Sequence, residues 1–326
     1  MEEQTPKKII TLQDHFDALR NMSDDVGILQ HESNTKYGYS IDDQSRALIV
    51  LSRFSKQYQN QRLANTYLNF IKTSKRTDGN FNNYKDSNKD WITKWKGEIQ
   101  TPDNFQDCYG RSVWALSEFI FSDYPESLKT DAKTLLFDSL KIIHKLTYPH
   151  SLALTSIGLS KYLQNKKDKE LKELNKETIK KLIDVSGKKD WMTYCVGRIP
   201  QALFLAGKTK QGEECLDKVI EKCFDENGMF HPNQNPNGAE QPVEAGVITE
   251  ACIDAYNKTK NENYLKAAKN AFHWFNKQED GGNFANKSLI SDNGAIYDAI
   301  KKDGIVSKNC GAESIVTYMM ALSYFK

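Results

Sequence analysis

Residues 41–54 read IDDQSRALIVLSRF, polar and charged at the start and then apolar on every side. A helix that is apolar all round is a buried one, so this segment predicts an inner helix with only its N-terminal end reaching a surface. Five more stretches repeat the pattern: FQDCYGRSVWALSEFI at 105–120, HSLALTSIGLSKYL at 150–163, TYCVGRIPQALFLAG at 193–207, EQPVEAGVITEACIDAY at 240–256 and GAESIVTYMMALSYF at 311–325. The helical segments between them keep one polar stripe, as LKELNKETIKKLIDV at 171–185 does, and so predict half-exposed outer helices.

Helical periodicity predicts segments near 11–21, 41–57, 61–75, 105–121, 128–145, 149–164, 171–185, 193–206, 210–224, 240–258, 262–277 and 311–325. Buried and half-exposed helices alternate six times. The alternation predicts six hairpins closed into a ring, an all-α (α/α)6 toroid whose inner helices run parallel and open their N-termini on one side. Taking Asp42, Asp107, His150, Arg198, Glu244 and Glu313 as markers, the repeat is near-regular except across two insertions, at about 77–104 and 278–310. No shift in composition divides residues 1–326 into separate domains.

The 326 residues carry 45 Lys+Arg against 43 Asp+Glu, a formal charge of only +2. That balance argues against electrostatic binding to nucleic acid or to an anionic membrane. There is no apolar run of spanning length, and MEEQTPKKII lacks the apolar stretch of a signal peptide, so a soluble cytoplasmic protein is expected. The six cysteines form no C-x-x-C pair and fall among apolar neighbours, which predicts free buried thiols. No phosphate-cradling glycine motif and no Cys/His set at metal-binding spacing occurs, so no cofactor and no metal is implied.

The predicted mouth of the ring is heavily loaded. Tyr39, Asp42, Asp43 and Arg46 fall at the first inner N-terminus, Asp107, Tyr109 and Arg111 at the second, and His150 at the third. Tyr194 and Arg198 follow at the fourth, Glu240, Gln241 and Glu244 at the fifth, and Asn309, Glu313 and Ser314 at the sixth. Capping could account for one aspartate at one terminus, but not for the pattern at all six. Adjacent Asp42 and Asp43 differ by about 100° around a helix, so one is expected to face the cavity and the other to orient Arg46 or cap the helix. Glu240 and Glu244, one turn apart, are expected to share a face. Several carboxylates around a cavity equip a protein for glycoside chemistry, in which one acid protonates the leaving oxygen and a second carboxylate activates water or attacks. Phe81, Tyr84, Trp91 and Trp95 in the first insertion could stack on a pyranose or simply anchor the loop, and Tyr297 and Asp298 in the second are further candidate contacts.

GYSIDDQSRALIVL at 38–51, DGNFNN at 78–83, DCYGRSVWALS at 107–117, GRIPQALFLAG at 197–207, QPVEAG at 241–246 and GIVSKNCGAES at 304–314 occur in order. Together they resemble a bacterial carbohydrate-associated domain of the six-hairpin glycosidase superfamily, often encoded beside or fused to glycosyltransferases and mannoside phosphorylases. The resemblance spans about residues 23–325 and implies an (α/α)6 toroid, a saccharide ligand and a glycosyltransferase partner. Mannan-cleaving members use adjacent aspartates, to which Asp42 and Asp43 are analogous. Three departures stand out. Gln44-Ser45 replaces an Asn-Ala pair, Cys310 replaces a Gln, and DWMTYCVGR at 190–198 lacks the Trp-Phe-Glu stretch of the pattern.

The leading expectation is a glycoside hydrolase acting on a small oligosaccharide, mannose-containing ones included. Its acid/base pair would come from Asp42, Asp43, Asp107, Glu244 and Glu313. Tyr39, Arg46, Trp91, Trp95, Arg111, His150, Arg198, Gln241 and Asp298 would bind substrate. A sugar epimerase is the second reading; it needs histidine bases, and His150 is better placed than His144, His231 or His31. A non-catalytic glycan-binding module is the third, and the missing glutamate before residue 198 favours it.

Overall fold

A computed structural model describes residues 9–92, 106–187, 191–232, 238–276 and 282–326, together with two short strands between residues 94 and 99. Among the described residues there are twelve α-helices: α1 (Leu12–Asn21), α2 (Ile41–Arg53), α3 (Gln61–Ser74), α4 (Asp107–Phe119), α5 (Glu126–Ser139), α6 (Pro149–Asn165), α7 (Lys169–Ser186), α8 (Arg198–Leu205), α9 (Thr209–Cys223), α10 (Pro242–Thr259), α11 (Glu262–His273) and α12 (Ala312–Leu322). The even-numbered helices form the inner ring. α2 packs on α4, α4 on α6, α6 on α8, α8 on α10, α10 on α12, and α12 returns to α2. Each inner helix from α2 to α10 also packs on the outer helix that follows it, while α12 takes α1 from the other end of the chain.

Burial follows the predicted alternation. Every residue of α10 from Pro242 to Ala255 is buried, whereas α7 buries only Leu171, Asn175, Thr178, Ile179 and Leu182 along one stripe. Two glycines let α4 and α6 touch. A Cβ on Gly158 would stand 2.6 Å from the Trp114 Cα, and one on Gly110 would stand 2.6 Å from the Ser151 carbonyl oxygen. The floor of the ring is a buried ion network that joins the C-terminal ends of α2 and α4 to the start of α8 and the middle of α10. Arg53 donates to Glu118 and Glu250, at 3.0 and 2.8 Å, and Arg198 donates to the second Glu250 oxygen at 2.8 Å while its guanidinium lies over the Trp114 ring.

The insertions fold back onto the mouth. β1 (Tyr39–Ser40) pairs antiparallel with β2 (Tyr84–Lys85), and Ile41 N–H donates to the Asn83 carbonyl, so residues 80–85 lie against the start of α2. β3 (Lys94–Trp95) and β4 (Glu98–Ile99) form a second small antiparallel ribbon. The stretch before α12 is held by bridges from Glu240 to Ile300, from Tyr297 to Cys310 and from His31 to Gly311. All six cysteines are free; five are buried and Cys215 is half-buried.

Two helix starts differ from expectation. α8 begins at Arg198 rather than near 193, because Cys195 has φ of 49° and the Cys195 and Val196 N–H groups turn toward Glu244 instead of entering a helix. α10 begins at Pro242, whose missing N–H suits a first helical position. Glu240 therefore lies outside the helix and does not share a face with Glu244; it accepts from Trp274 Nε1 at 2.7 Å and contacts His231 Nδ1 at 3.2 Å.

Candidate active site at the mouth of the ring

Caps are the first thing the geometry decides. The α2 cap is Ser40, whose Oγ accepts from the Asp42 and Asp43 N–H groups at 3.1 and 3.4 Å. Neither aspartate has to cap, and both side chains line a cavity of about 180 Å³ at the mouth. α4, α6, α8, α10 and α12 have no side-chain cap at all. Asp107, Glu244 and Glu313 are thus free of capping as well.

The cavity lies among the starts of α2, α10 and α12 and the loop carrying Gln30 and His31. Arg46, 2 % exposed, holds its two acidic walls together, with Nη1 3.4 Å from Asp43 Oδ1 and Nη2 2.9 Å from Glu313 Oε1. Tyr194 reaches in from the segment before α8, donating to Glu313 Oε1 at 2.7 Å and lying 3.3 Å from Arg46 Nη2. Asp43 is 5 % exposed while the Glu313 side chain is 42 % exposed toward the opening. Burial raises the Asp43 pKa to about 7, aided by the charges of Glu313 and Asp42 and resisted by Arg46. Burial acts on Glu313 too, but Arg46, Tyr194 and Arg111 outweigh it and hold that carboxyl below its ordinary range. One cavity therefore presents two carboxyls of opposite displacement, Asp43 still partly protonated near pH 7 and Glu313 ionised, as acid and base roles require.

The remaining expected residues divide. Asp298 and Gln241 line the same cavity. Asp298 accepts from Ser314 Oγ at 2.7 Å and from Asn309, and stands 3.5 Å from His31 Nδ1, which raises the His31 pKa. Arg111 Nε is 3.0 Å from Asp42 Oδ1. Asp107 and His150 sit at the starts of α4 and α6; burial raises the Asp107 pKa and lowers that of His150, each partly offset by the other's charge. Glu244 is also raised to about 7 by burial, but it accepts from the Cys195 and Val196 N–H groups and is locked against the start of α8.

Three residues expected at the mouth have other occupations. Arg198 belongs to the buried floor network with Glu250 and Gln201. The Tyr39 hydroxyl donates to Asp24 at 2.5 Å, with the ring buried near Phe70. Trp91 packs edge-on against Phe70 at 5.2 Å under the Lys85 ammonium, which is the anchoring alternative; Phe81 is likewise buried. The Trp95 side chain lies outside the described residues. His31 is the cavity residue that sequence reasoning ranked too low. It lies in an irregular segment with no periodic pattern to place it, and its only signal was its residue type. Among the described residues, no group of three or more His, Cys, Asp or Glu side chains is arranged to hold a metal ion.

No protein-family model matches the chain, and no curated protein matches it in sequence. Solved structures do match its fold. A D-mannose isomerase superposes with TM-score 0.67 at 10 % identity, over 96 % of this chain and 95 % of that one. A cellobiose 2-epimerase from Spirochaeta thermophila superposes with TM-score 0.65 at 10 % identity, over 96 % and 92 %. A family 76 α-1,6-mannanase from Salegentibacter sp. superposes with TM-score 0.61 at 12 % identity, over 96 % of each chain. The chain shares with these structures the (α/α)6 fold, a closed ring of six helical hairpins. Among the described residues, no helix is long and apolar enough to cross a membrane.

Proposed function

We propose that the chain is a carbohydrate-active enzyme that hydrolyses a glycosidic bond in a small oligosaccharide, with mannosides the first substrates to test. The observation that carries this reading is the Asp43–Glu313 pair, with its oppositely displaced acidities across one cavity. Asp43, whose pKa near 7 keeps a protonated fraction at neutral pH, gives its proton to the leaving glycosidic oxygen as the bond to the anomeric carbon breaks. Glu313, ionised, either takes the proton of the incoming water or meets the anomeric carbon itself; these are the two routes open to a carboxylate pair. Arg46 positions both groups, and Asp42 lies beside Asp43 at the same wall. An α-1,6-mannanase of the same fold is inactive when two adjacent aspartates are changed to alanine, and that variant was captured with α-1,6-mannotetrose. The adjacent aspartates here support the same class of chemistry.

Asp43→Asn and Glu313→Gln should each lower kcat on α-1,6-mannobiose at least 100-fold while shifting the melting temperature by only a few degrees. Loss of the folded state with activity per folded molecule retained would reassign either residue to structure.

A second reading, sugar epimerisation or isomerisation, is favoured by one feature: a histidine, His31, lines the cavity, its Nδ1 fixed 2.8 Å from the Asn309 amide nitrogen and 3.5 Å from Asp298. Incubation with mannose, cellobiose and α-1,6-mannobiose in heavy water separates the two. Hydrolysis yields smaller sugars without deuterium at C2; epimerisation or isomerisation yields a product of unchanged size carrying it. Stabilisation by sugar with no product at all would point to a binding module. The reading also carries a cytoplasmic setting and a glycosyltransferase partner, for which co-purification from the native host is the test.

A further inference from the structure

Beside the Asp43–Glu313 cavity, three helices contribute side chains near their N-termini with polar atoms that no described residue satisfies. Arg111, on α4, is 1 % exposed, yet its Nε and Nη1 have no hydrogen-bond acceptor. Asp42 Oδ1, on α2, lies 3.0 Å from that Nε but out of hydrogen-bond alignment, so the two are paired by charge while each can still take a hydrogen bond. His150 Nε2, on α6, is buried without a partner. Elsewhere among the described residues such atoms are scattered, at Thr155, Ser186, Arg198 and Thr317. Unsatisfied buried polar atoms are rare in folded proteins, and several converging on one end of a ring imply a ligand that completes them.

The place adjoins the cavity through Asp42. Asp42 belongs to both, since it lines the cavity and faces Arg111. Tyr194 links the two from the other side, with its hydroxyl on Glu313 and its backbone against His150. The charges restrict what can bind. Arg111 already has Asp42 as counter-ion, and Arg46 has Asp43 and Glu313, so neither guanidinium is left over for a phosphate or a carboxylate. Asp107, beside His150, adds another acid. A sugar hydroxyl fits where an anion does not, because it can accept from Arg111, donate to Asp42 and do either with His150.

We propose that Arg111, His150 and Asp42 form a second sugar subsite that holds the hydroxyls of a neutral pyranose ring not itself attacked, so that the substrate is at least a disaccharide. This rests on the reading of the Asp43–Glu313 cavity as the reaction centre, and it adds a size and charge class to the substrate.

The test is calorimetric titration of the Asp43→Asn protein, alone and combined with Arg111→Met or His150→Phe. The probes are mannose, α-1,6-mannobiose, cellobiose and mannose 6-phosphate. The expected result is that Asp43→Asn binds one of the disaccharides at least about tenfold more tightly than mannose, and mannose 6-phosphate no more tightly than mannose. Arg111→Met and His150→Phe should each remove that preference, weakening the disaccharide about tenfold or more while changing mannose less than about twofold. Equal weakening of mannose and disaccharide, or no change for either, overturns the second subsite and leaves the reaction centre standing. Tighter binding of mannose 6-phosphate overturns the neutral-sugar assignment. Binding of no probe by Asp43→Asn or by the unaltered protein removes the cavity reading and this proposal with it. His150→Phe answers the question should Arg111→Met fail to fold, because His150 takes no part in the Asp42 ion pair.

Discussion

Burial makes Asp43 resist ionising, and this makes the protein's behaviour depend on pH in two ways. Its carboxyl is held at about 7 in the folded chain, against an ordinary value near 4 in the unfolded one. Between those values the folded state keeps a proton that the unfolded state has released, so this group's contribution falls as pH rises from 4 to 7. Asp43→Asn cannot ionise; relative to the unaltered protein it should gain about 1–3 kcal/mol between pH 5 and pH 8, read from urea midpoints. Activity should follow the same group. kcat/KM on a cleaved disaccharide should fall above about pH 7 as the proton donor is lost, with the acidic limb set by Glu313 below the ordinary carboxylate range. A profile still rising at pH 9 would remove Asp43 from the acid role. At this scale the residue types at the mouth were legible in the sequence, but their aim was not. Helical phase argued that Asp42 and Asp43 part company, and they do turn to different arginines, Asp42 to Arg111 and Asp43 to Arg46, yet both line the cavity. Arg198 carried the same signal as Arg46 and Arg111. Its position in a short, late-starting helix sets it level with Glu250 instead, a tertiary fact with no local signature.

At the scale of elements, the six buried segments were readable because an all-round apolar helix has only one place to go, and the twelve helices fall where periodicity puts them. The starts of α8 and α10 were not readable, since one depends on a left-handed Cys195 and a distant glutamate, and the other on a bridge to Ile300. Two element contacts invite direct tests. Gly158→Ala places a methyl against the Trp114 backbone, so despite its better helix propensity it should destabilise the protein by about 1–3 kcal/mol, read by denaturant unfolding. A stabilised variant would mean that α4 and α6 can separate freely. Glu250→Gln leaves Arg53 and Arg198 buried without their shared counter-charge, and about 3–5 kcal/mol should be lost. None of the network's residues lines the cavity, so the folded fraction of this variant should keep its sugar affinity.

At the scale of the molecule, the ring is closed by two seams made from opposite ends of the chain. α12 lies against α2, and α1 lies against α12. Arg46 spans the first of these seams, joining Asp43 to Glu313. Asp43 is thus synthesised early and Glu313 late, and the two share Arg46 only once the last inner helix is in place. Without α12, Asp43 loses the Glu313 charge that helps to raise its pKa. The acidity of Asp43 is therefore not a property of the helix that carries it alone, and a chain halted before α12 should lack the Arg46-bridged pair.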